Sequence, residues 1–309
     1  MSTGGGVLIA DVDTGADFSH PDLAGRLIPG AHFYQDSNGN TVQDGNVADD
    51  NGHGTMTVGI MVADTNNGVG IASVAPDARA LVIKALDRNG SGTTDTVARG
   101  IRYAVAYRGS SGERVRVINL SIGSDLPALL SVLGSAAMRD AITYAAQNDV
   151  AVAAAAGNTG NGLLSANDYG SIAGVALVVG AVNRDGARAP YSTDGNIFAP
   201  GGDSSGGSDP KHEILSTTIG QHYAFAEGTS FSAPHAAGVL AQLIATGYNA
   251  ADARRRILAT PANRAGLPEL DAGAAVGGGG PGAGGGSAGP AGKQAGRGTG
   301  PGGSPAGRG

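Results

Sequence analysis

The chain has 309 residues, 41% of them hydrophobic and 15% charged, which is long enough to bury a full core as one large or two ordinary domains. It carries a net charge of −6, and no cysteine occurs, so disulfides, a thiolate nucleophile and a cysteine-based zinc site are all excluded. The three cations of a glycine-rich C-terminal stretch (Lys293, Arg297, Arg308) account for a charge of −9 on the first 276 residues, which argues against nucleic acid as the main partner.

No run of 18 apolar residues occurs, so no membrane-spanning helix is expected. The start, MSTGGG, lacks the charged-then-apolar pattern of a signal peptide. In chain order the body alternates short β-branched runs with alanine-rich helical stretches. VLIADV at 7–12 reads as the first strand, and Asp13-Thr14-Gly15 stands at its end. ADDNGHGTMTVGIMVA follows at 48–63, in which Gly52-His53-Gly54 leads into an apolar helix. ARALVIKAL (78–86) and VRVINLSI (115–122) are strands on either side of a helical pattern at 95–108, and a second helical pattern at 135–148 precedes VAVAAAAG (150–157). Asn158 closes that strand, and ALVVGAV (176–182) is another. The alternation is that of a parallel sheet buried on both faces, where ligands bind outside the carboxyl ends of the strands.

The stretch EGTSFSAPHAAGV (227–239) places Ser230 at a helix start, with helix expected from Phe231 and Pro234 expected within the first turn. Each signal has an ordinary alternative: a helix-capping serine, an Asx turn at Asp13, a capping loop around His53, a turn at Asn158. Together they supply a hydroxyl, an imidazole, a carboxylate and an amide at one sheet edge, the parts needed for acyl transfer. Among six histidines, His235 is nearest Ser230 in sequence, but five helical positions turn it by about 140°, so it reads as packed.

Asp13-Thr14-Gly15, His53-Gly54-Thr55, Asn158 after an Ala-Gly run, and Gly228-Thr229-Ser230 with Ser232-Ala233-Pro234-His235 resemble the four signature blocks of the subtilisin-like serine peptidases. The resemblance runs from about residue 3 to PELDAGAAV at 268–276. It implies an α/β fold: three layers, doubly wound, with a mostly parallel central sheet and helices on both faces. It implies a serine endopeptidase in which Asp13 orients His53, His53 is base then acid, Ser230 is the nucleophile and Asn158 with the Ser230 N–H forms the oxyanion hole. An extended peptide or protein substrate is expected between Gly90-Ser91-Gly92 and Ser121-Ile122-Gly123. Leu86, Val97 and Ile122 would line an apolar pocket, and Ala155-Ala156-Gly157 one wall of the primary pocket, giving a broad, apolar-leaning specificity. Ordinary core is the alternative for these positions.

No cofactor is expected for catalysis. NNGVGIASVAP at 66–76 resembles the family's calcium loop, with the Asn67 side chain, the carbonyls of Thr65, Val69 and Ile71, and Asp22 as ligands of a structural Ca2+; a glycine-asparagine turn without metal is the alternative. Three departures stand out. Asp11 occupies a usually apolar strand position and should face the same side as Asp13, so it needs a partner or a raised pKa. Met56-Thr57 replaces a usual His-Val, a change expected to affect packing only, and Tyr169-Gly170 replaces Tyr-Pro. The domain is expected to span 1–276, with 277–309 a disordered tail, and about twenty residues of the family's mature start are expected upstream together with a pro-segment. The resemblance implies a monomer outside the cell, with a cytoplasmic location as the alternative because the chain shows no signal-peptide pattern, and no nucleic-acid or membrane partner is expected. Two other readings use the same residues: an inactive module that binds peptides by strand addition, and an α/β-hydrolase esterase. The second is disfavoured because Ser232 stands where G-x-S-x-G requires glycine, and the acid precedes the serine.

Overall fold

The computed structural model describes residues 2–122, 135–160, 172, 174–206 and 209–278; Gly123, Tyr169, Gly170 and the tail beyond Gly278 lie outside the described residues. In chain order the first half contains β1 (Leu8–Asp13), β2 (Leu27–Gln35), β3 (Thr41–Asp44), α1 (His53–Val62), β4 (Arg79–Lys84), α2 (Thr94–Ala106), β5 (Val115–Leu120) and α3 (Ala136–Gln147). The second contains β6 (Ala151–Ala155), β7 (Leu177–Val182), β8 (Ile197–Pro200), β9 (Ile214–Thr218), β10 (His222–Ala226), α4 (Thr229–Ala245), α5 (Ala250–Ala259), β11 (Ala262–Arg264), β12 (Leu267–Glu269) and α6 (Ala272–Gly277).

All five apolar runs are strands of one ten-stranded sheet, ordered β11-β12-β8-β7-β6-β5-β1-β4-β2-β3, with antiparallel pairing only at its two ends. Strand residues alternate between two cores. Ile9, Val82, Val117, Ala153 and Val179 pack with α1 and α4, whereas Leu8, Ala10, Leu81, Ile118 and Val152 pack with α2 and α3. This is the expected α/β architecture with helices on both faces. Each fully buried aliphatic side chain contributes about 1.5–3 kcal/mol, and Ile9, Leu81, Ile83 and Ile118 are of that kind.

β1 is the pivot. It pairs with β4 on one side and β5 on the other, and the chain passes from β4 across it to β5, so the winding reverses about β1, the point beyond whose carboxyl end ligands bind in such sheets. Asp13 is the last residue of that strand. On the α1/α4 face, the same parity that buries Ile9 turns Asp11 and Asp13 towards the two helices. α1 is apolar on all sides because it is enclosed: the hairpin β9–β10 covers it, with Ser216 and Thr217 donating to the carbonyls of Met56 and Thr55 at 2.7 Å each.

Candidate active site

The turn after β1 and the start of α1 are built as one unit. The Asp13 carboxylate accepts from the Thr14 N–H and lies 2.7 Å from His53 Nδ1, with Asp13 fully buried. His53 is the first residue of α1, and its capping residue Gly52 has no side chain to offer. Asp49 does that work: it accepts from the N–H groups of Asn51, Gly52 and Thr55 and from the Thr55 and Thr14 hydroxyls, at 2.6–3.0 Å. Burial opposes its ionisation, but these donors hold its carboxyl below the usual range. Lys84, buried at the end of β4, donates to the Thr14 carbonyl and to Asp50 at 2.6 Å each, fixing the other side of the turn. Burial disfavours the His53 imidazolium, but the Asp13 charge and hydrogen bond, with Asp49 behind, outweigh it and raise the pKa above its ordinary value.

α4 begins at Thr229, two residues earlier than the sequence suggests. Pro234 is therefore the sixth helical residue, past the first turn, and its missing N–H leaves the Ser230 carbonyl without its i+4 partner. Ser121 Oγ supplies that hydrogen bond at 2.7 Å. Ser230 is second in the helix and nearly buried, and the neighbouring Phe231 ring stands 5.6 Å from the His53 ring, which brings the serine turn beside the imidazole. Asn158 Oδ1 accepts from both Thr229 N–H and Oγ at 2.9 Å, so the amide orientation is set and its Nδ2 faces Gly228. A Cβ on Gly228 would lie 3.3 Å from that nitrogen, and φ is +146°, so only glycine suits the position.

Asp11 has its partners. Asn119 Nδ2 lies 2.8 Å from Oδ1 and Thr57 Oγ1 2.8 Å from Oδ2. Thr57 is thus more than a packing change, because its hydroxyl holds a buried acid. Burial and the neighbouring Asp13 push the Asp11 carboxyl well above the usual range, with Asn119 and Thr57 opposing.

Of the expected substrate strands, Ser91 and Gly92 are exposed and Gly90 half-buried at φ +72°, in a turn where Asp87 accepts from Ser91 N–H. Ser121 and Ile122 leave β5 buried. Leu86, Val97 and Ile122 belong to the core on the α2 side, and Ala155, Ala156 and Gly157 are buried at the end of β6, so these positions serve the core as well as any pocket wall.

The loop around Asp22 is a separate assembly. Asp22 is fully buried; its carboxylate accepts from Asn67 Nδ2 at 2.7 Å and from Ile71 N–H at 3.0 Å. Asn67 Oδ1, the expected ligand atom, accepts instead from Val69 N–H at 3.1 Å. Tyr223 Oη lies against the Asp22 carboxylate, and Thr65 Oγ1 is buried there without a hydrogen-bond partner among the described residues, an oxygen-rich setting around one carboxylate. His235 stacks no chemistry: its Nδ1 lies 2.7 Å from the Phe231 carbonyl, and burial lowers its pKa.

Asp49, Lys84, Thr57 and Asn119 are the site residues that sequence reading missed. Asp49 carried a signal as the first acid of DDNGH before the histidine helix, and Thr57 one as a departure from the usual valine, read there as packing only.

The Subtilase family model matches residues 4–277. The chain is 39% identical over 252 residues to a thermophilic serine proteinase of Bacillus sp. (strain AK1), covering 81% of this chain and 55% of that protein. It is 36% identical over 257 residues to thermitase of Thermoactinomyces vulgaris, covering 83% and 81%. It is 35% identical to the major intracellular serine protease of Bacillus subtilis (strain 168), covering 77% and 68%. A solved protease from Pseudoalteromonas arctica PAMC 21717 superposes with a TM-score of 0.73 at 29% identity, over 89% of this chain and 91% of that one.

Proposed function

The chain belongs to the subtilase family of serine endopeptidases, and from that premise we propose that Asp13, His53 and Ser230 form its triad, with Asn158 as oxyanion donor. The observation that carries this is the 2.7 Å contact between Asp13 and His53 Nδ1 beside the Ser230 turn. With Nδ1–H held by Asp13, the free lone pair of His53 is on Nε2. Ser230 Oγ attacks the substrate carbonyl carbon as its proton passes to Nε2, and the C=O electron pair becomes an oxyanion. Asn158 Nδ2 and the Ser230 N–H at the positive end of α4 stabilise that charge. Collapse expels the amine, which takes the proton from His53, and water repeats the cycle on the acyl-enzyme. Ser230→Ala should lower kcat on a chromogenic peptide by about a millionfold, the scale known for the subtilisin triad. A folded variant keeping a few per cent of activity would refute the assignment.

The substrate is read as an extended peptide added as a strand between 90–92 and 121–123, with apolar side chains preferred because Ala155, Ala156 and Gly157 themselves carry no charge. The domain is read as 1–276, although α6 carries helix one residue further, to Gly277; deleting residues 279–309 should leave kcat and KM unchanged. The Asp22 loop suits a hard cation such as Ca2+ held by one carboxylate and neutral oxygens, provided the Asn67 amide turns its oxygen inward. A bound ion there would supply stability and take no part in the reaction. The resemblance also carries a monomer and a pro-segment that assists folding, tested by light scattering and by refolding yield with a pro-segment added. Relatives named intracellular serine proteases stand among the matches. Activity in the culture medium would support the extracellular reading, and activity confined to cells would overturn it.

A further inference from the structure

Asp11 is a buried carboxylate that the mechanism above does not use. It lies two residues before Asp13 on β1, faces α1 and α4 with it, and is almost fully buried. Its Oδ2 stands 2.8 Å from Thr57 Oγ1, and that hydroxyl also stands 2.9 Å from the Gly54 carbonyl, directly after His53. A hydroxyl has one proton. With Asp11 ionised, Thr57 can serve only one of these oxygens, and the other contact sets acceptor against acceptor. With a proton on Asp11 Oδ2, both contacts are hydrogen bonds: Asp11 donates to Thr57, and Thr57 donates to Gly54. On the other side, Asn119 Nδ2 directs its two protons to Asp11 Oδ1 and Ser121 Oγ, each at 2.8 Å, and Ser121 donates to the Ser230 carbonyl. Every proton then has one acceptor along the whole path.

The groups facing Asp11 agree. β4 offers apolar Val82 in register and β5 offers neutral Asn119. α1 offers Thr57 and His53, and α4 meets the network at the Ser230 backbone. Among the described residues, the one charge of like sign facing it is Asp13, already matched to His53. Burial and that neighbour both favour the neutral acid.

We propose that Asp11 stands as a neutral carboxylic acid and is a positioning residue, tying the His53 turn to the Ser230 carbonyl through Thr57 on one side and Asn119-Ser121 on the other. The role rests on the triad assignment above, whereas the protonation state does not.

Infrared difference spectra of the full chain at neutral pH, native against Asp11→Asn, read the proton directly. A protonated-carboxyl C=O band present in the native protein and lost in the variant is expected; its absence overturns the proposal whatever the activity. The kinetic arm compares Asp11→Ala with Asp11→Asn. The alanine variant should lose about tenfold or more in kcat with KM little changed, because two helix anchors are cut. Asparagine should restore kcat to within about threefold, because its Nδ2 can donate to Thr57 and its Oδ1 can accept from Asn119. The acidic limb of its kcat/KM profile should coincide with that of the native enzyme. An ionised Asp11 would predict the opposite, since losing a negative charge near His53 would move that limb to lower pH. If Asp11→Ala does not fold, Thr57→Val takes its place: it cuts the link to Gly54 and should lower kcat without moving the limb, and full activity in folded Thr57→Val overturns the positioning role.

Discussion

Gly54 is where the imidazole helix meets the carboxylate turn, and a methyl group there tests how tightly the two are locked. A Cβ on Gly54 would lie 2.2 Å from the Gly15 carbonyl oxygen and 3.1 Å from both Gly15 N and Thr14 Oγ1. Gly15 cannot retreat, because a Cβ built on it would already be 2.6 Å from the Val47 carbonyl, and Ala16 N–H is bonded to that same oxygen. α1 must yield instead. Moving from 2.2 Å to the 3.4 Å where ordinary contact begins is a retreat of about 1.2 Å. It stretches the Gly54 N–H bond to Thr14 Oγ1 and the 2.7 Å Asp13–His53 contact together. A misplacement of about 1 Å costs about 10²-fold in rate, or about 2.7 kcal/mol of barrier. Gly54→Ala should therefore lower kcat on a chromogenic peptide about a hundredfold with KM little changed. Overpacking should also lower stability by about 1–3 kcal/mol. Gly45→Ala is the control, since nothing lies within 4 Å of its Cβ. Gly54→Ala with kcat within threefold of native and an unchanged Tm would refute the locked-turn reasoning.

Asn158→Leu should lower kcat by about 10²–10³ with KM nearly unchanged, the cost measured for one such donor in a subtilisin; a pure KM effect in steady-state kinetics would make Asn158 a binding residue. Because Asp13 and its neighbours raise the His53 pKa against the opposing effect of burial, and only neutral imidazole accepts the serine proton, kcat/KM should fall on acidification with a limb above the ordinary histidine value. A limb at or below it would contradict the coupling. The same shift stabilises the fold below the ordinary value, and that contribution is lost as pH rises through the folded value. Calcium should raise Tm relative to EDTA, by an amount worth about 2.7 kcal/mol at a hundred times Kd, and Asp22→Asn should abolish the difference. Equal melting curves with and without EDTA would remove the cation from the Asp22 loop.

The strands were legible because parallel strands buried on both faces are continuous apolar runs, and β1, β4, β5, β6 and β7 are all of that kind. β2 was not, because Pro29 and Gly30 punctuate it; Gly30 is there for a close approach, since its Cβ would meet the Val82 carbonyl at 2.5 Å. Asp13, His53, Asn158 and Ser230 were legible as polar residues at the ends of apolar elements. Thr57, Lys84 and Asn119 lie inside such elements, where type and spacing say nothing of a partner 34 or more residues away. The two-residue shift in the start of α4 moves Pro234 from the fourth to the sixth helical position, but in either register the Ser230 carbonyl lacks an i+4 donor, so the task of Ser121 follows from Pro234 itself. At the Asp22 loop, Asp22, Asn67 and Ile71 do meet, but the direction of the Asn67 amide was not legible, because it depends on which atom meets Val69 N–H.

The central claim is that one serine, Ser230, is made nucleophilic by His53. Treating the native chain with a phosphonofluoridate and mapping the adduct by peptide mass spectrometry tests it most directly. The account requires one adduct per molecule, on the peptide containing Ser230, forming in step with loss of peptidase activity and absent from folded His53→Ala. An adduct on another residue, or full activity after stoichiometric labelling of Ser230, would contradict it.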